Sequence, residues 1–140
     1  MAPIETDTAP GPPLFRVMVA DDSEFARRNA GKVIASLGGV VVGEAATGRQ
    51  AVDRYRALRP DLVLMDIVMP EMPGVEAVEA IMQHDPTARI VMVTSLGHQE
   101  VVRQALSLGA RHFLMKPLQY DEAVEVLRFV MEGRGVDHAG

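Results

Sequence analysis

From residue 15 onward, short apolar runs alternate with longer amphipathic stretches. Leu62-Val63-Leu64-Met65 is unbroken and bounded by the turn formers Pro60 and Asp61. Such a run suits a strand buried on both faces of a parallel sheet. Phe15–Ala20, residues 40–46, residues 89–94 and His112–Met115 read as four more strands. The intervening stretches carry helical spacing instead. Ser23 is placed to cap the first helix, with Glu24 in its first turn. Phe25, Ala26, Val33, Ile34 and Leu37 form its inward stripe, and Gly38-Gly39 stops it. Thr47-Gly48 starts a second helix with Ala51, Val52, Tyr55 and Leu58 on one face. Residues 73–84, 98–108 and 120–132 complete five helices. This alternation predicts an α/β fold, a doubly wound five-stranded parallel sheet with five helices. Right-handed crossovers leave few topologies for it.

With 140 residues, 48% hydrophobic and 24% charged, the chain holds enough apolar content for one globular domain, placed at residues 14–132. Residues 1–13 carry four prolines and a glycine and read as a disordered tail; residues 133–140 read as a short second tail. A net charge of −5 without a dense Lys/Arg run argues against nucleic acid as a partner. The absence of cysteine excludes disulfides, thiol chemistry and Cys-ligated metals. No apolar run approaches the ~20 residues of a membrane span, and the N-terminus lacks the features of a signal peptide. A cytoplasmic location is expected.

The chemistry lies in what each apolar run ends on. The first ends at Asp21-Asp22, the third at Asp66, the fourth at Thr94-Ser95 and the fifth at Lys116. Each has an ordinary role open to it: Asp21-Asp22 as helix caps, Thr94 closing a strand, Lys116 on a solvated loop. Parallel strands, however, bring all these ends to one edge, the edge where open α/β sheets bind ligands. Pro70 and Pro73 keep the chain after Asp66 in a loop there. Three carboxylates in one place repel unless a cation joins them. An all-oxygen site suits Mg²⁺ or Mn²⁺. With a lysine and a hydroxyl opposite, the set describes a phosphoryl-binding pocket.

Asp21-Asp22-Ser23, the stretch from Asp66 through Pro70-Glu71-Met72-Pro73-Gly74, Val93-Thr94-Ser95 and Phe113-Leu114-Met115-Lys116-Pro117 resemble the motif set of response-regulator receiver domains of two-component systems. Thr94 to Gln99 and Gly109 to Phe113 resemble the single-domain chemotaxis type in particular. The resemblance spans about residues 15–132 and implies a flavodoxin-like sheet of order 2-1-3-4-5. It implies that Asp66 accepts a phosphoryl group from a histidine kinase. Asp21 and Asp22 would hold Mg²⁺ with Asp66 and the backbone carbonyl of Val68. Thr94 would bond the phosphoryl group, Lys116 would pair with it, and Phe113 would be the aromatic switch that turns inward as Thr94 moves. Pro73 stands where the family often has Asp, and Phe113 where chemotaxis members usually have Tyr. The implied output partner is a flagellar motor switch or a phosphotransfer protein, with no output domain in the chain itself.

Three other readings stay open: a phosphorelay intermediate, a Mg²⁺-dependent phosphohydrolase and an interaction module that is never phosphorylated. The hydrolase would usually carry an acid/base Asp two residues after its nucleophile, where this chain has Val68. Three finer expectations follow. Lys116–Pro117 is expected cis, turning the lysine back toward the pocket. Val68 and Leu96, two residues beyond Asp66 and Thr94, offer no polar group to orient an attacking water, so the phosphorylated state is expected to be long-lived. Seven of the nine residues from Ala123 to Met131 are apolar, more than one stripe requires. Placing Ala123, Leu127, Val130 and Met131 inward leaves Phe129 exposed with Val126 on its flank. With Val101 and Leu108 they would form a partner face.

Overall fold

The computed structural model describes residues 15–132; both predicted tails lie outside this range. Five strands alternate with five helices: β1 Phe15–Ala20, α1 Glu24–Ser36, β2 Gly39–Ala45, α2 Gly48–Leu58, β3 Leu62–Asp66, α3 Gly74–His84, β4 Ile90–Thr94, α4 Gln99–Leu108, β5 His112–Met115 and α5 Tyr120–Met131. All strand pairs are parallel, in the order β2-β1-β3-β4-β5. β3 and β4 are buried at every position, as their unbroken apolar runs require.

Side chains alternate across a strand, so each strand feeds two cores. Met18, Val63, Met65, Ile90 and Met92 pack under α2, α3 and α4. Val17, Val19, Leu62, Leu64 and Val91 pack under α1 and α5. Helix starts follow the sequence. Ser23 Oγ accepts from the Ala26 amide at 3.1 Å, and Thr47 Oγ1 from that of Gln50 at 3.0 Å. Pro73 and His98 sit in the N-cap positions of α3 and α4 rather than inside them. No helix among the described residues is long and apolar enough to cross a membrane.

Two expected faces are corrected. Phe25, assigned to the inward stripe of α1, is 77% exposed; it stands in the first helical turn, beyond the C-terminal edge of the strands. In α5 the inward set is Ala123, Val126, Leu127 and Val130. Val126 therefore belongs to the core, and Met131 is only half-buried. Phe129 is half-buried rather than exposed and meets the His112 ring edge-on at 5.9 Å. A helix that is apolar nearly all round leaves its rotation to be set by packing.

The N-terminal edge of the sheet is tied by a polar network. Tyr55 donates its hydroxyl to Asp85 Oδ2 at 2.8 Å. Asp85 Oδ1 accepts from the Thr87 amide and hydroxyl at 3.0 and 2.6 Å. Arg59 stands 3.9 Å from Asp85 Oδ2.

Candidate functional site

The opposite edge gathers the charged strand ends. Asp66 closes β3 and is only 7% exposed; Asp21, just beyond β1, is buried too, while Asp22 faces solvent. Each of these three offers a carboxylate oxygen, and the three oxygens lie within 4.8 Å of one another. Lys116, just beyond β5, reaches back so that Nζ is 2.7 Å from Asp21 Oδ2 and 3.4 Å from Asp66 Oδ2. Its peptide bond to Pro117 is cis, as expected.

Asp66 Oδ1 accepts from the Ile67 amide at 2.8 Å. Burial and the negative charge of Asp21 nevertheless push the Asp66 carboxyl above its ordinary range, against the opposing pull of Lys116 and that amide. Burial alone would lower the Lys116 ammonium, but its bond to Asp21 and the charge of Asp66 more than offset this and raise it. Clustered carboxylates, one of them resisting ionisation, and an exclusively oxygen donor set are the conditions under which a hard divalent cation relieves repulsion. The residues fit Mg²⁺ or Mn²⁺.

Just beyond β3 the chain folds back so that Gly74 packs on the carbonyl of Asp66. A Cβ at Gly74 would overlap that oxygen, and the Gly74 amide donates to Ile67 O at 2.9 Å. Beside the acids, Thr94 is buried and donates its hydroxyl to the Ser95 carbonyl at 3.1 Å. Behind it lies a cavity of about 250 Å³ lined by Thr94, Leu96, Val102, Leu106, Phe113 and Met115 among others. Phe113 is half-buried at its wall.

Residues 17–128 match the sequence profile of the response regulator receiver domain. The chain belongs to the response regulator receiver family. It is 44% identical over 115 residues to the chemotaxis protein CheY of Thermotoga maritima, covering 82% of this chain and 96% of that protein. It is 42% identical over 112 residues to the CheY of Bacillus subtilis, covering 80% and 93%. Among solved structures it resembles a CheX–CheY–BeF₃–Mg²⁺ complex from Borrelia burgdorferi, with 35% identity, a TM-score of 0.76, and 85% and 88% of the two chains covered. The response regulator domain of Thermotoga maritima CheB is similar as well, with 36% identity, a TM-score of 0.73, and 84% and 93% coverage.

In this receiver domain Asp21, Asp22, Asp66 and Lys116 converge, and Thr94 and Phe113 share one cavity wall. The partner-face residues do not assemble into an exposed apolar patch. Val101 and Leu108 are half-buried against the core under α4, and Val126 is buried. Two residues near the acids stand out only in three dimensions. Phe25 lines a groove that also includes Asp21, Lys116 and Pro117. Arg27 donates from Nη1 to the Asp21 carbonyl and from Nε to Glu44 Oε1, both at 2.7 Å. Nothing local in the sequence marks that pairing, since Arg27 lies on α1 and Glu44 follows 17 residues later on β2.

Proposed function

We propose that this receiver domain, read as residues 14–132, is a phosphorylation switch of a cytoplasmic two-component system. A carboxylate oxygen of Asp66 attacks the phosphorus of a phosphohistidine on a histidine kinase. The O–P bond forms as the P–N bond breaks, and the imidazole leaves with the electron pair. Mg²⁺ (or Mn²⁺), held by Asp21, Asp22, Asp66 and the Val68 carbonyl, would supply positive charge to the transferred oxygens. Lys116 pairs with the phosphoryl group, and Thr94 exchanges its bond to Ser95 for one to a phosphoryl oxygen. Phe113 then follows into the cavity that Thr94 borders, altering the surface of α4, β5 and α5.

The observation that carries this reading is a buried Asp66 beside two further acids and Lys116 at the C-terminal edge of the sheet. A buried carboxylate that must bear charge is favoured when it gains a cation and a compensating partner. Phe25, Val68 and Leu96, all exposed around this mouth, give an incoming phosphodonor apolar surface to rest on. Similarity to CheY proteins favours chemotaxis as the pathway, with a flagellar motor switch or a phosphotransfer protein as the output partner. The test is transfer of radiolabelled phosphate from a phosphorylated histidine kinase, or from acetyl phosphate, with and without Mg²⁺. Label on the wild type but not on Asp66→Asn is expected. Equal labelling of both would remove Asp66 as the acceptor. Capture of partners with and without beryllofluoride would then identify the output.

A further inference from the structure

All four polar atoms of Asp21 are engaged. Its amide donates to the Ala45 carbonyl at 2.9 Å. Its Oδ1 accepts from the Ser23 amide at 2.9 Å, and its Oδ2 faces Lys116 at 2.7 Å. Its carbonyl accepts from Arg27 Nη1 at 2.7 Å, while Arg27 Nε is held by Glu44 at the same distance. Asp22 is different. Its side chain is exposed, so its position is inherited from the backbone on either side.

We infer that Arg27 is a positioning residue for the metal-binding carboxylates, its guanidinium fastening the turn that carries Asp21 and Asp22 to the end of β2. The side chain is only 17% exposed, and its anchor Glu44 lies on β2 next to the Ala45 carbonyl that holds the Asp21 amide. A planar fork donating in two directions can bond both acceptors at once; a lysine ammonium in the same place cannot reproduce that geometry. Groups that orient metal ligands without touching the metal typically change affinity 10- to 100-fold when removed.

A guanidinium acting only as a counter-charge to the acids predicts the opposite sign. It would compete with a cation, so its loss would tighten Mg²⁺ binding. Because the inference rests on the proposed Mg²⁺ site, the test has one arm with metal and one without. Calorimetric Mg²⁺ titration of the full chain is expected to show about tenfold or greater weakening in Arg27→Met and Arg27→Lys, and a smaller loss in Glu44→Gln. In the metal-free proteins, hydrogen exchange at the Asp21 and Ser23 amides, the bonded amides of the turn, is expected to quicken in both Arg27 variants. Mg²⁺ affinity that holds or rises, or turn amides that exchange at the wild-type rate, overturns the inference. Should Arg27→Met fail to fold, Arg27→Lys and Glu44→Gln decide it. A wild type that binds no Mg²⁺ would sink the metal reading instead, leaving exchange in the turn to decide whether Arg27 holds it.

Discussion

Lys116 Nζ lies closer to Asp21 Oδ2, at 2.7 Å, than to Asp66 Oδ2, at 3.4 Å. The lysine leans on Asp21 rather than on Asp66, the proposed acceptor. One ammonium thus offsets the repulsion between two buried acids, and a metal would do the same work from another side.

Replacing Lys116 by Met leaves both acids without their cation. The metal-free variant is expected to lose about 1–3 kcal/mol at neutral pH, the usual cost of leaving a buried polar group unpaired. Added Mg²⁺ is expected to raise its thermal midpoint by more than that of the wild type. Because the folded-state pKa of Lys116 is raised, its stabilisation is present below the ordinary value of 10.5 and is lost as pH rises through the higher folded value. Thermal scans across pH check both points. Equal responses to Mg²⁺ would mean that Lys116 does not stand in for the metal.

Asp66→Asn is expected to stabilise the metal-free fold. The Asp66 pKa is raised on folding, chiefly by burial, so the folded state favours the protonated carboxyl, and ionisation costs stability at pH 7. Asparagine removes that cost. Urea unfolding in chelator is expected to favour the variant at pH 7 and to show the advantage vanishing below the ordinary carboxylate value of 3.8. A variant less stable than the wild type at pH 7 contradicts the assignment.

Gly74→Ala drives a methyl group into the carbonyl of Asp66 and against Ile67 Cα. Both neighbours are backbone, so neither yields by a side-chain rotation. A loss of about 1–3 kcal/mol is expected, together with slower phosphorylation, because the clash displaces Asp66, the proposed acceptor. Normal stability and labelling would show that the loop moves aside freely.

Val68 and Leu96 are 59% and 82% exposed beside the proposed acceptor, Asp66, and neither can orient a water for attack on phosphorus. Val68→Asn and Leu96→Glu are expected to shorten the lifetime of the phosphorylated protein, within the roughly 10²–10⁴-fold that a positioned proton acceptor contributes. Decay of the radiolabel measures it. Unchanged decay in both variants leaves these residues a packing role only.

Tyr55→Phe tests the far edge. Asp85 is held below the ordinary carboxylate range by the Thr87 hydroxyl and then by Tyr55, while burial and Asp85 push the Tyr55 phenol well up. The variant is expected to be less stable by about 1.5–3 kcal/mol at neutral pH. The depressed Asp85 gives stability above 3.8 that is lost as pH falls through its folded value. The raised phenol gives stability below 10 that is lost as pH rises beyond it. The gap between wild type and variant therefore narrows at both extremes, and a gap independent of pH would rule out this coupling.

The strands and the acid–lysine set could be read along the chain because each signal is local. The run Leu62 to Met65 announces full burial, and Asp66 announces its end. Strand order came from family resemblance, since alternation alone does not choose among the permitted topologies. Helical phase was less legible. With seven apolar residues among nine from Ala123 to Met131, sequence cannot choose between Val126 and Met131 as the inward neighbour of Leu127. Phe25 fitted a stripe whose first turn projects past the sheet. Arg27 was invisible because one of its acceptors is a backbone carbonyl and the other lies 17 residues away.

The knot of Tyr55, Asp85, Thr87 and Arg59 lies at the end of the sheet opposite the acids. This division frees the two ends to diverge on separate schedules. Rim positions such as Phe25, Val68 and Leu96 are exposed, so under the proposed function exchanging them would change how long a signal lasts or which protein delivers it. The scaffold beneath is anchored elsewhere and does not register the change.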